Sequence, residues 1–293
     1  LITADNFANY FQVSMGSIQA IRNGWNFFAP HRNDFSASGT PSWSSTMTQF
    51  RLQCTADSGK TAVYYVSQAY AGFYARPQIV WTFDDNHAAI FTDAATVLEA
   101  RGWRGTLFSQ GQRINASQYG TLAQHQAWVA AGHEVFNHTM THSDLSSVTA
   151  DAAESEIALG EVNLETNGLT PPGLKHFAYP FGNFNDTVKN ILRSRGYTSA
   201  RAVGGNSITP FMGVKGFAFD EFQIECTELN NSVNLAQAIA EVDQAIKYGG
   251  NLIFLVHALV PGAAGLSSWN VDDFKALAAY VKRMEPLLTV QRY

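Results

Sequence analysis

The feature that most constrains this chain is a rhythm that begins near residue 78, where short β-branched or aromatic runs alternate with helical stretches. Such alternation indicates βα units and a mostly parallel sheet, because two parallel neighbours need a long crossover between them, usually a helix. About seven or eight such units favour a closed barrel over an open sheet. The predicted strands cover residues 79–83, 105–109, 134–137, 176–179, 198–202, 217–224, 252–257 and 288–291.

The predicted helices lie between these strands and carry ordinary end signals. Thr149 stands where it can cap the third helix, and Gly132 and Gly196 stand where the second and fourth helices should end. The pattern therefore predicts an α/β protein. The helices cover residues 88–100, 117–131, 150–166, 186–195, 235–247 and 271–284.

The first 77 residues belong to a different composition regime. Residues 1–77 are rich in aromatic side chains and carry a formal charge of +2, whereas residues 78–293 carry −7. An alternating run at 46–54 and a β-rich run at 61–66 flank a turn-like segment. We therefore predict a small β-rich N-terminal module over 1–77, followed by the βα domain over 78–293.

Composition excludes several classes of protein. The chain of 293 residues is 46% hydrophobic and 15% charged, which is typical of a globular protein with a sizeable core. Its net charge of −5 argues against a nucleic-acid partner. No apolar run approaches the roughly 18 residues that a membrane span requires. Cys54 and Cys226 are the only cysteines, and a disulfide between them or two buried thiols both remain open.

Carboxylate and imidazole groups follow several predicted strands at the point where each strand ends. Asp84 and Asp85 follow the first strand, His138 and His142 follow the third, and His257 ends the seventh. In a βα barrel the carboxyl ends of the strands share one rim. We therefore expect these five side chains, although distant in sequence, to meet at one site.

The residue types at this rim are those of a metal-dependent hydrolase. Two imidazoles and one carboxylate suit zinc, or else cobalt or nickel, and leave coordination positions for water and substrate. One aspartate of the adjacent pair can bind the ion while the other acts as general base. His257 is the candidate for the general acid that protonates the leaving atom.

Three runs carry a resemblance to a known family. The runs TFDD at 82–85, HTMTH at 138–142 and LVH at 255–257 resemble motifs of the NodB-homology polysaccharide deacetylases, carbohydrate esterase family four. The resemblance covers roughly residues 78–293, and it implies a distorted (β/α)7-type barrel. It also implies distinct roles, with Asp84 as base, His257 as acid, and Asp85, His138 and His142 as metal ligands.

One motif of the family departs from its usual form. Where the family has Arg-x-Pro-Tyr, this chain has Ala178 followed by Tyr179, Pro180 and Phe181. The resemblance implies that this turn forms the oxyanion and substrate contact, through the backbone N–H of Phe181. The family's Arg contacts the catalytic Asp, and we expect Arg201, at the end of the next strand, to reach that carboxylate from another side. The family's Asp-Trp motif has no clean counterpart, and Asp220 is the nearest acid by position.

The sequence therefore predicts a hydrolase that removes acetyl groups from an N-acetylhexosamine-containing polysaccharide or oligosaccharide. Alternatives are an O-acetyl ester hydrolase on the same rim and a non-catalytic glycan-binding adhesin that retains the barrel. A non-haem iron oxygenase is disfavoured, because its ligands usually begin with a His on a β fold. We expect an extracellular or cell-envelope protein, with a phage tail component as the alternative.

Overall fold

The structure, a computed structural model, describes the following parts of the chain: residues 1–14, 35–53, 58–59, 76–171, 173–203, 220–248, 250–262 and 265–293. The chain divides into two compact units, and each is described by itself. The first unit is Leu1–Tyr74 with Lys215–Phe219, and the second is Ala75–Val214 with Asp220–Tyr293. Two predictions lie outside the described residues: the strand at 61–66 and the pairing of Cys54.

The first unit contains a four-stranded antiparallel sheet in the order β3-β2-β1-β4. Phe11 is buried against it and stacks on Trp43, with ring centroids 3.8 Å apart. Aromatic side chains therefore contribute to the core of this unit. The alternating run at 46–54 forms a shorter strand than predicted. The strands are β1 (Ile2–Thr3), β2 (Tyr10–Gln12), β3 (Ser36–Ser38) and β4 (Gln49–Phe50).

The second unit is built on a parallel sheet in the order β10-β11-β5-β6-β7-β8-β9, with β14 beside β5. Its principal strands are β5 (Gln78–Asp84), β6 (Thr106–Ser109), β7 (Glu134–Asn137), β8 (His176–Ala178), β9 (Ser199–Arg201), β10 (Thr227–Glu228), β11 (Asn251–Val256) and β14 (Thr289–Gln291). A separate two-stranded sheet pairs β12 (Ala258–Val260) with β13 (Ser268–Asn270). The helices are α1 (Ala95–Glu99), α2 (Leu122–Ala130), α3 (Ala150–Thr166), α4 (Asp186–Ser194), α5 (Leu235–Tyr248) and α6 (Val271–Met284).

Residues 220–228 join the two edges of this sheet. The N–H of Ala200 in β9 donates to Glu221 O at 2.8 Å. The N–H of Ala202 donates to Ile224 O, also at 2.8 Å. A few residues later the same segment becomes β10 and pairs with β11. The sheet therefore curls as the predicted distorted barrel requires.

One predicted strand is misplaced. Within the described part of the 217–224 prediction, only Ile224 makes a β-bridge, and the regular strand is β10 further along. The reason is a turn at Asp220, which accepts hydrogen bonds from two later backbone N–H groups, those of Phe222 and Gln223. A turn there ends any extended run, since its carboxylate competes for the backbone donors.

Local signals explain where two helices begin. Thr149 caps α3 by accepting a hydrogen bond from Ala152 N, as predicted. Helix α2 begins several residues later than predicted, because Thr121 and Gln124 form a reciprocal capping box. The residues just before that box are used elsewhere, since Tyr119 bridges to the loop after β5.

The core of the second unit lies between the sheet and its helices. Strand β5 is buried from Ile79 onward and lies between β11 and β6. The Trp81 ring contacts Phe254 of β11 and Phe274 of α6, at centroid distances of 5.1 and 5.3 Å. This packing fixes the strand whose last residue is Asp84. Among the helices that the structure describes, none is both long enough and apolar enough to cross a membrane.

Candidate active site

The predicted site residues lie at the carboxyl ends of neighbouring parallel strands. Asp84 is the last residue of β5, and Asp85 follows it. His138 and His142 lie in the segment after β7, and His257 directly follows β11. Because β11, β5, β6 and β7 are consecutive in the sheet, these strand ends face a common rim.

Asp85, His138 and His142 form a candidate metal site. One ligand atom from each lies within 4.8 Å of the others. Asp85 Oδ1 is 3.4 Å from His142 Nε2 and 3.9 Å from His138 Nε2. Within the parts of the chain that the structure describes, this is the one cluster of at least three such groups. The three side chains that the sequence predicts to meet therefore do meet.

The donor atoms suit a divalent cation. His138 Nδ1 lies 2.8 Å from the carbonyl oxygen of Ala178, so a ring N–H donated there leaves the Nε2 lone pair facing Asp85. Burial and the neighbouring His138 lower the pKa of His142 to about 4, although Asp85 acts in the opposite direction. The His142 ring can therefore be a neutral ligand at pH 7, which is the form that zinc and similar ions bind.

Left-handed backbone is concentrated around this rim. Non-glycine residues with φ between 59° and 71° occur in all three loops after β5, β7 and β8. Such conformations cost free energy and cluster at functional sites. Asn tolerates this region better than most residues, which fits Asn86 at one of these positions. The residues are Asp85, Asn86, Thr139, His142 and Phe181.

Hydrogen bonds hold the loop that carries the two histidines. Asn137 Oδ1 accepts from Thr139 N at 2.9 Å, and Thr139 Oγ1 accepts from His142 N at 2.9 Å. Helix α3 supplies Glu156, whose Oε2 accepts from Thr141 N at 2.9 Å. The loop is thus fixed from two sides, which limits the entropy lost when a ligand is ordered there.

Asp84 lies beside the cluster and is held by Arg201. Arg201 Nη2 is 2.6 Å from Asp84 Oδ1 and 2.5 Å from Oδ2, and both side chains are almost completely buried. Asp84 Oδ2 is 3.8 Å from His138 Nε2. The expected approach of Arg201 to this carboxylate is therefore present in the geometry, while its effect on turnover stays a prediction.

The sheet register explains how Arg201 reaches that position. Ala178 and Arg201 are directly paired on β8 and β9, so the guanidinium projects from the strand next to the one where the family has its Arg. Arg201 Nη1 lies 3.3 Å from Cys226 Sγ. The Phe108 ring lies under the guanidinium, 5.1 Å from Cζ to the ring centroid. Because the Ala178 side chain is small, the space beside Asp84 is open to the side chain of Arg201 on the neighbouring strand.

Glu228 is a site residue that the sequence analysis did not identify. Its Oε1 lies 3.2 Å from His257 Nδ1. Burial lowers the pKa of His257, but the Glu228 carboxylate, with Asp84 and Asp85, raises it more, and the net change is upward. Glu228 ends β10, beside the strand that carries His257, so an acid at this strand end was the available signal. The strand assigned at 217–224 obscured it.

Asp220, the nearest acid by position to the missing motif, lies elsewhere. Its carboxylate oxygens are 3.2 Å from Lys189 Nζ and 3.3 Å from Arg193 Nη2, both on α4. It therefore helps to attach α4 to the segment after β9, and Glu228 holds the position next to His257.

The turn over Pro180–Gly182 presents Phe181 at the rim. The Phe181 ring is 62% exposed and lies 4.6 Å from the His142 ring, centroid to centroid. At Gly182, whose φ is 72°, a Cβ would meet the backbone N of Val203 at 2.5 Å. Only glycine fits this approach, so the turn is tightly determined.

Tyr179 does not offer its side chain to a ligand. It is 1% exposed, and its hydroxyl donates to Phe222 O at 3.0 Å. Any contact of this turn with a substrate would therefore come from groups other than the Tyr179 side chain. A ring that is buried among aromatic neighbours acts as a core residue.

Arg113 is a second residue that the sequence analysis did not identify. It ends a short 3₁₀ turn after β6, and its Nη1 lies 2.8 Å from Asp85 Oδ1. Its side chain is 28% exposed. A basic residue shortly after a strand end was the only sequence signal available.

Comparisons with known sequences converge on the βα unit. Residues 74–200 match the family described as polysaccharide deacetylase. A chitooligosaccharide deacetylase of Sinorhizobium fredii is 33% identical over 122 residues, covering 41% of this chain and 54% of that protein. A provisionally named polysaccharide deacetylase of Bacillus subtilis is 25% identical over 119 residues, covering 41% of this chain and 42% of that protein. The chain thus spans about half the length of the curated relatives it matches.

Solved structures share the fold at low sequence identity. A provisionally named polysaccharide deacetylase from Mycobacterium smegmatis matches with a TM-score of 0.54 and 15% identity, covering 78% of this chain and 92% of that one. A CE4 family pseudoenzyme from Bacillus anthracis matches with a TM-score of 0.51 and 15% identity, covering 74% of this chain and 64% of that one. These likenesses confirm the predicted fold class and carry no further conclusion about activity.

Proposed function

We propose that this chain, whose residues 74–200 match the polysaccharide deacetylase family, is a metal-dependent hydrolase that removes acetyl groups from an N-acetylhexosamine-containing glycan. The observation that carries the proposal is the meeting of Asp85, His138 and His142 beside Asp84 on one rim. We also propose an extracellular or cell-envelope setting.

Asp85, His138 and His142 are the residues that would hold the ion. Their donor set of one carboxylate and two neutral imidazoles favours zinc, with cobalt or nickel as alternatives. When bound, such an ion supplies Lewis-acid polarisation and lowers the pKa of a water ligand from ~15.7 towards ~7. The hydrogen bond from His138 to Ala178 supports this assignment, because it fixes the tautomer that leaves Nε2 free.

Asp84 would accept a proton from the attacking water. Arg201 holds both carboxylate oxygens, so the orientation of Asp84 is set before substrate binds. His257 would donate a proton to the leaving nitrogen, and the Glu228 carboxylate favours the protonated form that this role requires. The backbone N–H of Phe181 would stabilise negative charge on the acetyl oxygen.

Two alternatives use the same rim. An O-acetyl ester would present the same carbonyl to the same groups, so geometry does not separate it from an amide. A non-catalytic glycan-binding protein is the second alternative, because one protein with this fold is described as a pseudoenzyme. The presence of ligands, base and acid candidates together argues against that alternative.

Acetate release from defined glycans tests the proposal. Protein treated with a chelator and then loaded with zinc would be incubated with N-acetylchitotetraose and with an O-acetylated xylo-oligosaccharide. We expect acetate from the N-acetylated glycan only when the metal is present. Faster release from the ester would favour the esterase, and no release from either glycan by the metal-loaded protein would favour the binding protein.

A further inference from the structure

Arg113 borders the candidate metal site and also reaches solvent. Its Nη1 lies 2.8 Å from Asp85 Oδ1, the same oxygen that is 3.4 Å from His142 Nε2. The Arg113 side chain is 28% exposed, against 12% for Asp85. A guanidinium in this position can therefore contact both the site and a molecule that enters it.

The guanidinium is held in place by two connected loops. Its Cζ lies 4.8 Å from the centroid of the Tyr119 ring, and that ring is 5.0 Å from the ring of His87. His87 and Tyr119 also form a backbone β-bridge between the loops after β5 and β6. Nearby, Gly120 N donates to Asn86 O at 2.8 Å. Arg113 is therefore preorganised, which reduces the entropy lost when it binds a ligand.

Most of the donors of this guanidinium remain available. An Arg side chain carries five N–H donors in a planar fork. Across the described ranges of the chain, Asp85 is its one ionic partner, and the Tyr119 ring contacts only its face. Because the side chain is partly exposed, the other edge of the fork can donate two hydrogen bonds to a planar anion such as a carboxylate.

The balance of charge at the rim favours an anion there. Arg201 offsets Asp84, and Arg113 offsets Asp85. A divalent cation at the candidate metal site would add positive charge to a rim whose acids are already paired. A ligand that brings a negative group would relieve this excess, whereas a neutral glycan would not.

Resting on the proposed function, we propose that Arg113 is a specificity-determining residue that binds a carboxylate of the glycan, so that the protein prefers acetylated polysaccharides with acidic sugar residues. Two sources share this chemistry. In one, the carboxylate belongs to a lactyl ether, as in N-acetylmuramic acid, and in the other it belongs to a uronic acid.

Paired substrates test the inference on the zinc-loaded full chain. The first pair is a tetrasaccharide of alternating N-acetylglucosamine and N-acetylmuramic acid, with its carboxylates free or reduced to alcohols. The second pair replaces N-acetylmuramic acid by glucuronic acid. We expect kcat/KM to be about tenfold higher for the free-carboxylate form of at least one pair, mainly through KM, because a charge-assisted hydrogen bond is lost on reduction.

Variants identify the responsible residue. In Arg113→Gln, the ratio of kcat/KM for the free-carboxylate substrate to kcat/KM for the reduced substrate should fall close to one. Arg113→Lys should keep part of this preference, because the charge remains but the planar fork of donors is lost. Arg101→Gln is the matched control, since Arg101 lies in the connection that leads into the amino end of β6. Metal content of each variant is measured alongside, so that an indirect effect through Asp85 is recognised.

A binding measurement separates this inference from the proposed function. Calorimetry with zinc-loaded Asp84→Asn protein compares the free and reduced tetrasaccharides without turnover. Equal binding and equal kcat/KM for both forms would overturn the role of Arg113 while acetate release still supports deacetylation. If no glycan releases acetate, the proposed function fails, and the binding ratio alone decides the role of Arg113. If Arg113→Gln keeps the wild-type preference for the free carboxylate, the proposed role of Arg113 is also overturned.

Discussion

At the scale of single residues, the site depends on charges that are buried in pairs. Asp84 is 2% exposed and would be strongly disfavoured as a lone carboxylate in that position. Arg201, which is fully buried, compensates the charge of Asp84, and its Nη2 contacts both carboxylate oxygens. Glu228 on β10 likewise lies beside His257, which follows the neighbouring strand β11. The two groups that would move protons thus each have one dedicated partner of opposite charge.

Replacing Arg201 tests the first pair. Arg201→Ala leaves Asp84 buried and unpaired, so we expect a loss of about 3 kcal/mol or more in the free energy of unfolding. Arg201→Lys keeps the charge but loses the planar guanidinium, whose Nη2 contacts both Asp84 oxygens while Nη1 lies beside Cys226. We expect turnover about 100-fold lower from the folded protein, because Asp84 loses its fixed orientation. Urea denaturation and acetate release measure the two effects. Wild-type turnover by Arg201→Ala would show that the pair has no role in the reaction.

Replacing Glu228 tests the second pair. If His257 acts as an acid, turnover falls as pH rises through its pKa. Glu228 raises that pKa, so the pKa of His257 should fall in Glu228→Gln, and the alkaline limb of the kcat profile should move to lower pH. Glu221→Gln, at an exposed position, has the same change in net charge and should leave the limb unmoved. Identical profiles for the two variants would refute the assignment.

At the scale of secondary-structure elements, helix α3 determines the position of the histidine loop. Glu156 of this helix holds Thr141, and Gly160 lets the helix approach the loop closely. A Cβ at Gly160 would lie 2.2 Å from Asn137 Oδ1, the atom that accepts the hydrogen bond from Thr139 N. The contact between helix and loop therefore leaves no room for a methyl group.

The variant Gly160→Ala tests whether this close approach positions the loop. In an ordinary helix the change stabilises by up to about 1 kcal/mol. Here we expect the opposite sign and a metal affinity at least about tenfold weaker, because the loop that carries His138 and His142 must shift. Ser155→Ala, at an exposed position of the same helix, is the control. Calorimetric zinc titration measures the metal affinity, and urea denaturation measures the free energy of unfolding. A Gly160→Ala protein that is stabilised and binds zinc normally would contradict the account.

At the scale of the whole molecule, sequence patterns predicted the strands that lead to the rim but not every group that reaches it. Strand β7 was predicted with its observed ends, and His138 follows from it directly. Glu228 was missed because a strand of two residues has no periodicity to detect. Arg113 was missed because its contact with Asp85 depends on how two loops pack. Contacts between strands could be expected from topology, whereas contacts between loops depend on side-chain packing that no local pattern encodes.

The most direct test of the central claim is the metal content of purified protein, measured together with acetate release, for the wild type, Asp84→Asn and His138→Ala. We expect about one equivalent of metal in the wild type and in Asp84→Asn, with turnover reduced by on the order of 10²-fold or more in the latter. His138→Ala should lose both metal and turnover. A His138→Ala protein that keeps its full metal content and its full rate would contradict the account.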